Sequence, residues 1–430
     1  MVDARPLAGL TVAAMMLASF AAALSGANLF AGLAGAFAWA TGLLLAPHLN
    51  RFQRGQSGAM FAIGTACVVY ATWHGDWSWW NTVRLGNHSL LAMLAAVTFL
   101  RLITKTGDDG QPLPRGPRAV LQTLAATHVF GAVINISAPV LIGERIAQRG
   151  KLTPLQTKVV SRAFVAASMW SPFFIAMALI LQVLPHAQFT VIAGAGFIAS
   201  SCLLAYCAWR LPRAPEVADF IGYPLRANAL WPPVLLSSCV LGGHALWPAL
   251  PILPLIQGAA LGMVALILPW QQGTAALTAV TAHVRERLPG MGGEIATFLS
   301  SSVMSAGIDA AVRQSRLQLA PTDLHAGGAS ILLAVLIVLA LVGVHPVASL
   351  TVLAGVWSLP SLDGNLVGMV FLLVWGLGLV ASPFSGTSFV FQARFGLRAF
   401  DLLRWNGGYL LGGCVLGVAM LYGYEALWRH

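Results

Sequence analysis

Apolar runs separated by short polar loops set the pattern of this chain. Uninterrupted runs predict membrane-spanning helices over 7–25, 28–46, 57–73, 88–104 and 189–209. The second half continues with runs at 231–247, 250–270, 291–310 and 406–424, and an amphipathic stretch at 272–288. A helix needs roughly 20 apolar residues to cross the hydrocarbon layer. Four further runs are interrupted. Segment 118–149 carries Asn135, Ser137 and Pro139 and ends on Glu144 and Arg145. Segment 326–358 is broken by the VGVHPVAS at 342–349. Each is followed by a long apolar helix, 156–184 or 365–393, with a Ser-Pro-Phe inside it. These are Ser171-Pro172-Phe173 and Ser382-Pro383-Phe384.

Unwound backbone at membrane depth is tolerated only where it is buried in protein or lines a wet cavity. Interrupted segments in corresponding places of two halves point to a transporter's binding site. Asn135-Ile136-Ser137 corresponds to Gly343-Val344-His345 at an offset of 208, and the two Ser-Pro-Phe triplets at 211. The expected architecture is an all-α polytopic membrane protein. It has about 11 transmembrane helices and two re-entrant hairpins, 118–149 and 326–358, arranged as an inverted repeat. Residues 1–209 form the first repeat, 210–228 a cytoplasmic linker and 229–430 the second repeat. Scaffold helices lie at 7–104 and 231–310.

Composition narrows the class. Hydrophobic residues make up 58% of the chain and charged residues 9%, against roughly 25% charged in soluble proteins. The net charge of +10 sits in short loops, where membrane topology places it, so no nucleic-acid partner is expected. With the N-terminus inside and each hairpin returning to its own side, only Arg84, Arg313, Arg316 and Arg429 fall outside. The other 20 of the 24 basic residues fall inside. The first hairpin then enters from the cytoplasm and the second from the periplasm, with a periplasmic C-terminus, in a bacterial-type inner membrane. Residues 7–24 resemble a signal segment, but Asp3 balances Arg5 and a second span follows at once, so a retained helix is expected. Trp73, Trp77, Trp79 and Trp80 read as an interfacial aromatic belt. The five cysteines lie in apolar runs and read as buried free thiols.

The interruptions carry the candidate chemistry. Half-helix N-termini offer free N–H groups and a positive dipole end, which suit an anion. Unwound carbonyls suit a cation, and Ser and Asn add oxygens without a buried charge. The candidate binding residues are Asn135, Ser137, Ser168 and Ser171 in the first half. In the second half they are His345, Ser349, Ser382, Ser385, Gly386, Thr387 and Ser388. Pro139, Pro172, Pro346 and Pro383 are the expected helix breaks, because proline lacks the N–H that closes a turn. Asn135 and Ser137 are the expected sodium ligands, and His345 can carry a coupling proton or bind an anion. The plain alternatives are hydroxyls bonded to their own helices, a structural His128, solvated Glu144 and Arg145, and Glu294 and Asp309 at the membrane interface.

The order hairpin, broken helix, final span in each half resembles the ion transporter superfamily. That group includes the divalent-anion/sodium symporters, the arsenite-efflux-like permeases and the large subunits of tripartite periplasmic transporters. The resemblance is carried by 131–180 and 341–396. It implies a scaffold of early helices from each half, a transport part of hairpins and broken helices, a homodimer, and elevator-type alternating access. The symporters' Ser-Asn-Thr tip is replaced here by Asn-Ile-Ser and Val-His-Pro, and their Pro-Pro-Asn after the breaks is missing. The expected function is symport: secondary active transport of a small anionic organic solute, coupled to sodium or protons. No other cofactor and no enzymatic activity are expected. One alternative is a permease subunit dependent on a periplasmic binding protein. The other is a membrane-embedded enzyme drawing on Glu294, Asp309 or Asp363.

Overall fold

In the computed structural model of the chain, the described residues are 4–104, 112–184, 186–225, 231–247, 250–315, 323–357, 362–398 and 400–428. Lys105, Arg226, Arg316 and Arg429 of the charge count, and 226–228 of the expected linker, lie outside them. The described residues form helices joined by turns, with two isolated β-bridges, Arg115 to Ile221 and Gln148 to Lys151. The first half holds α1 (Arg5–Ser25), α2 (Asn28–Leu45), α3 (Arg51–Trp73), α4 (Trp79–Leu85), α5 (His88–Thr98), α6 (Gly116–Ile134) and α7 (Ser137–Ile146). It continues through α8 (Pro154–Ala167), α9 (Ile175–Val183) and α10 (Phe189–Arg210). The second half holds α11 (Trp231–Leu246), α12 (Ile252–Gln272), α13 (Ala275–Ala282), α14 (Gly292–Ser315), α15 (Ala326–Leu341) and α16 (Pro346–Val356). It closes with α17 (Gly364–Leu373), α18 (Leu379–Ala381), α19 (Gly386–Phe395) and α20 (Asp401–Trp428).

Among the described residues, eight helical stretches are long and apolar enough to cross a membrane, so this is a multi-pass membrane protein. The differences from the expected spans have local causes. The run at 57–73 lies within α3, whose first turns carry Arg51, Gln53, Arg54 and Gln56 and dilute its apolar character. Its start is set by a capping box: Asn50 Oδ1 accepts from Gln53 N at 2.8 Å, and Gln53 Oε1 from Asn50 N at 3.2 Å. The amphipathic stretch 272–288 and the span 291–310 are one helical run, Ala275–Ser315. Pro289 does not divide it, because it falls in the first turn of a short 3₁₀ segment, where its missing N–H leaves no bond unmade. The cysteine expectation is corrected in part. Cys207 is buried, Cys67 and Cys414 are half-buried, and Cys202 and Cys239 are exposed. An apolar membrane helix has a lipid-facing side, so an apolar neighbourhood in sequence does not bury a residue in protein.

The chain forms two compact units, and each draws on both halves of the sequence. Unit 1 comprises residues 1–105, 234–320 and 350–358. Its helices α3 and α14 pack backbone to backbone, since a Cβ on Gly64 would lie 2.5 Å from Met304 N and one on Gly307 would strike Gly64 O. Small residues let membrane helices approach this closely. Gln257 Nε2 donates to Met16 O at 2.8 Å and ties α12 to α1. At one end of the unit, Arg313 pairs with Asp76 at 3.7 Å and with Asp309.

Unit 2 comprises residues 106–233, 321–349 and 359–430 and holds both interruptions. In α8, every residue except Pro154 and Lys158 is buried. The 364–395 stretch is 94% buried over its most apolar window, whereas α10 and α20 reach 33% and 28%. The two broken helices therefore form the middle of unit 2, and α10 and α20 lie at its outside. A helix apolar all round belongs in such a core.

Candidate functional site

The first interruption turns at Asn135. Its backbone sits at φ 52° and ψ −137°, and Ile136 follows at φ −57° and ψ −17°. Ala138 N donates to Asn135 O at 2.9 Å, and Asn135 N to Gly131 O at 3.2 Å. These angles are close to the II′ turn, which favours glycine at this position and tolerates asparagine. Pro139, expected as a break, is instead the third residue of α7. The first N–H groups of a helix have no intrahelical partner, so proline fits there without interrupting anything. Asn135 alone carries the interruption.

The second interruption turns at Gly343, φ 103°. Val344 N donates to Leu339 O at 2.9 Å and Gly343 N to Ala340 O at 3.2 Å, the double bond of a Schellman end. Pro346, also expected as a break, instead opens α16 as its first residue, where a missing N–H interrupts nothing. The two positive-φ tip residues, Asn135 and Gly343, are the pair matched at the 208-residue offset.

The helix breaks repeat one construction. Ser171 Oγ donates to Ala132 O at 2.5 Å and accepts from Phe173 N at 3.2 Å. Ser382 Oγ donates to Ala340 O at 2.7 Å and accepts from Phe384 N at 3.2 Å. Both bonds recur between residues at the offsets read from the sequence. In each half a serine hydroxyl bolts the broken helix to the last turn of the helix that precedes the interruption, α6 or α15. The following proline has no N–H to continue the helix.

Bond inventories divide the candidates. Ser171 and Ser382 hydroxyls are committed to the bolts, and Ser168 Oγ donates to Val165 O at 2.6 Å. Ser385 caps α19 by accepting from Ser388 N at 3.1 Å, and Ser388 Oγ accepts from Gln392 Nε2 at 3.2 Å. Gly386 is the first residue of α19. Among the described residues, the side chains of Asn135, Ser137, Ser349 and Thr387 make no hydrogen bond. His345 Nδ1 accepts from Val347 N at 3.1 Å, which leaves Nε2 to carry the proton of the neutral ring. That ring lies perpendicular to Trp375 at 5.5 Å, beside the π-helical turn Val374–Gly378. His128 differs: Nδ1 meets Ala163 O at 3.1 Å and Nε2 accepts from Trp170 Nε1 at 3.1 Å, so both ring nitrogens are spent.

Asp363 and Glu144 have other duties. Asp363 caps α17 through Asn365 N at 2.9 Å and Leu366 N at 3.2 Å, and Tyr424 Oη donates to it at 3.1 Å. Glu144 pairs with Arg394 at 3.3 Å on the surface, and Glu294 opens the first turn of α14.

Two further residues matter that the sequence did not single out. Arg162, counted there among loop cations, is only 6% exposed within α8. Its Nε donates to Asn406 Oδ1 at 2.8 Å and its Nη2 to Trp405 O at 2.9 Å, and the guanidinium lies 4.8 Å from the Tyr409 ring centre. Asn406 Nδ2 donates on to Val380 O at 3.0 Å, next to the second break.

The Asn135 tip makes a prediction that separates structure from function. A non-glycine residue in this backbone region costs about 1–3 kcal/mol. Asn135→Gly is therefore expected to keep or raise the melting temperature while lowering substrate binding, read by thermal melts with and without ligand.

Comparison with known proteins adds little. The sequence matches no protein-family model, and no curated protein matches it. The structure is similar to the crystal structure of the Alcanivorax borkumensis YdaH transporter, which has an unusual topology. The TM-score is 0.48 and the identity 13%, over 79% of this chain and 85% of that one. A likeness of that degree decides neither family nor function. The reading of this chain rests on its own geometry.

Proposed function

We propose that this chain is a secondary active transporter of the bacterial-type inner membrane, carrying a small anionic organic solute coupled to sodium or protons. The observation that carries the reading is the repeated bolt, Ser171 to Ala132 and Ser382 to Ala340. It holds an unwound tip against an unwound helix twice in one unit. Two sets of half-helix ends then stand inside an apolar body, where exposed peptide groups need a ligand or water. The helices α7 and α9 begin without a side-chain cap, so their first N–H groups are available to an anionic oxygen. Asn135 and Ser137 are the proposed cation ligands, and His345 Nε2 with Thr387 the proposed polar contacts in the second half.

Topology supports the same reading. Glu144 meets Arg394, Gln188 N meets Asn365 Oδ1 at 2.7 Å, and Arg313 meets Asp76. Each contact joins two segments that the charge count assigns to one side of the membrane. The proposed topology has both hairpins re-entrant, from opposite faces, with a cytoplasmic N-terminus and a periplasmic C-terminus. Unit 2 with residues 350–358 is the proposed transport part, and the rest of unit 1 the proposed scaffold of a homodimer with elevator-type movement.

The test is a thermal-shift screen of mono- and dicarboxylates with the purified protein, with and without sodium and at two pH values, because a ligand raises apparent stability by mass action. A carboxylate hit is expected to gain from sodium or from protons, and to be taken up by liposomes holding this protein alone. Asn135→Gly and Thr387→Val are expected to weaken that hit roughly tenfold each, about 1.4 kcal/mol. Unchanged binding in both variants contradicts the site. Uptake that requires an added binding protein favours the permease-subunit alternative.

A further inference from the structure

Unit 1 carries a groove of about 630 Å³ on α2 and α4. Leu29, Leu33, Ala36, Trp39, Trp80 and Arg84 line it. Its size is that of a small-ligand site, roughly 300–1,000 Å³, and its make-up is the usual one of apolar walls with few polar groups. The groove is built into the packing. Trp39 Nε1 donates to Val83 O at 2.8 Å, which holds α4 on α2. Gly35 lets the Arg84 carbonyl lie directly on α2, and a Cβ on Gly32 would be 3.5 Å from Arg84 Nη1. The guanidinium thus lies beside Gly32 on the groove wall. Its Nη2 donates to Asn81 Oδ1 at 2.9 Å, and no carboxylate among the described residues pairs with it. Trp73, Trp77 and Trp80, all more than half exposed, mark the same end of the unit. Exposed tryptophans gather at headgroup depth.

We infer that this groove holds one anionic phospholipid, its acyl chain along Leu29, Leu33 and Trp39 and its headgroup phosphate on Arg84. A phosphate suits a guanidinium that has no acid of its own. A second copy of the chain suits it less. A two-fold contact presents the same patch from both partners, so it sets one Arg84 against the other with no acid between them. The site is independent of the transport reading.

The experiment is native mass spectrometry of the full-length protein, incubated in mild detergent with equal amounts of phosphatidylglycerol and phosphatidylcholine. One phosphatidylglycerol is expected to be retained per chain in preference to phosphatidylcholine. Arg84→Gln is expected to reduce that retention roughly fivefold, the effect of one basic residue on an anionic lipid surface. Ala36→Trp, which fills the groove and keeps the charge, is expected to abolish it. Both positions are solvent- or lipid-facing, so both variants are expected to fold, with melting curves as the control. Equal retention of the two lipids overturns the proposal, as does undiminished retention in either variant. So does a loss of dimer in place of a loss of lipid, and so does stabilisation by inorganic phosphate equal to that by the lipid.

Discussion

Arg162→Met is expected to lower the melting temperature of the solubilised protein by the equivalent of about 2–4 kcal/mol, and Asn406→Leu by a similar amount. A hydrogen bond to a charged donor contributes about 1.5–3 kcal/mol, and a buried acceptor left unpaired costs about 1–3 kcal/mol. Arg162 makes two such bonds, to Asn406 Oδ1 and Trp405 O, and stacks on Tyr409. Against these stands the cost of burying a cation with no paired acid, several kcal/mol. Because the partners are neutral, removing the arginine leaves unpaired acceptors but no stranded charge, which holds the loss to the lower range. The double variant Arg162→Met/Asn406→Leu is expected to cost less than the sum of the singles by about 0.5–3 kcal/mol, the usual coupling for residues in one network. Arg162→Lys is expected to be no rescue, since an ammonium cannot reproduce the planar fork and stack. Strict additivity in the cycle contradicts this account of α8 and α20.

Gly196→Ala is the second large effect. A Cβ at Gly196 strikes the Met169 carbonyl oxygen and comes within 2.7 Å of Met169 C, both backbone atoms of the first break. A flexible side chain can move aside, but this backbone is held by Ser171 and its bolt. Overpacking of this kind costs about 1–3 kcal/mol or more. It also shifts the break itself, so binding is expected to fall further than the melting temperature implies. Gly194, two residues earlier on α10, has nothing within 4 Å of where an alanine methyl would sit, so Gly194→Ala is the control. There the gain in helix propensity, up to about 1 kcal/mol, is expected to leave stability equal or higher. Equal behaviour of the two variants contradicts the close approach of α10 to the break.

The interruptions were legible in the sequence because their causes are local. Proline past the first turn removes an N–H that the helix needs, and a serine just before it can satisfy the freed backbone, so Ser-Pro-Phe announces a break at both sites. The matched offsets held down to individual hydrogen bonds, since the bolts use Ser171 with Ala132 and Ser382 with Ala340. Pro139 misled because its effect depends on its distance from a helix start, and Asn135 had already set that start a few residues earlier. Arg162 misled for another reason. Whether a cation near a helix end is solvated or buried depends on what packs against it, here Asn406 and Tyr409 from the far end of the chain. The interleaving of the two units is long-range in the same sense, since each draws on both halves of the chain.

The central claim is that the two hairpins dip in from opposite faces and return. Single cysteines in a background lacking the five native ones, labelled from each side of the membrane, test it most directly. Labels at Arg115 and Arg149, the two feet of the first hairpin, are expected to react only from the cytoplasmic side. Labels at His325 and Leu362, the feet of the second, are expected to react only from the periplasmic side. If the two feet of either hairpin react from different sides, that segment crosses the membrane and the inverted architecture is wrong.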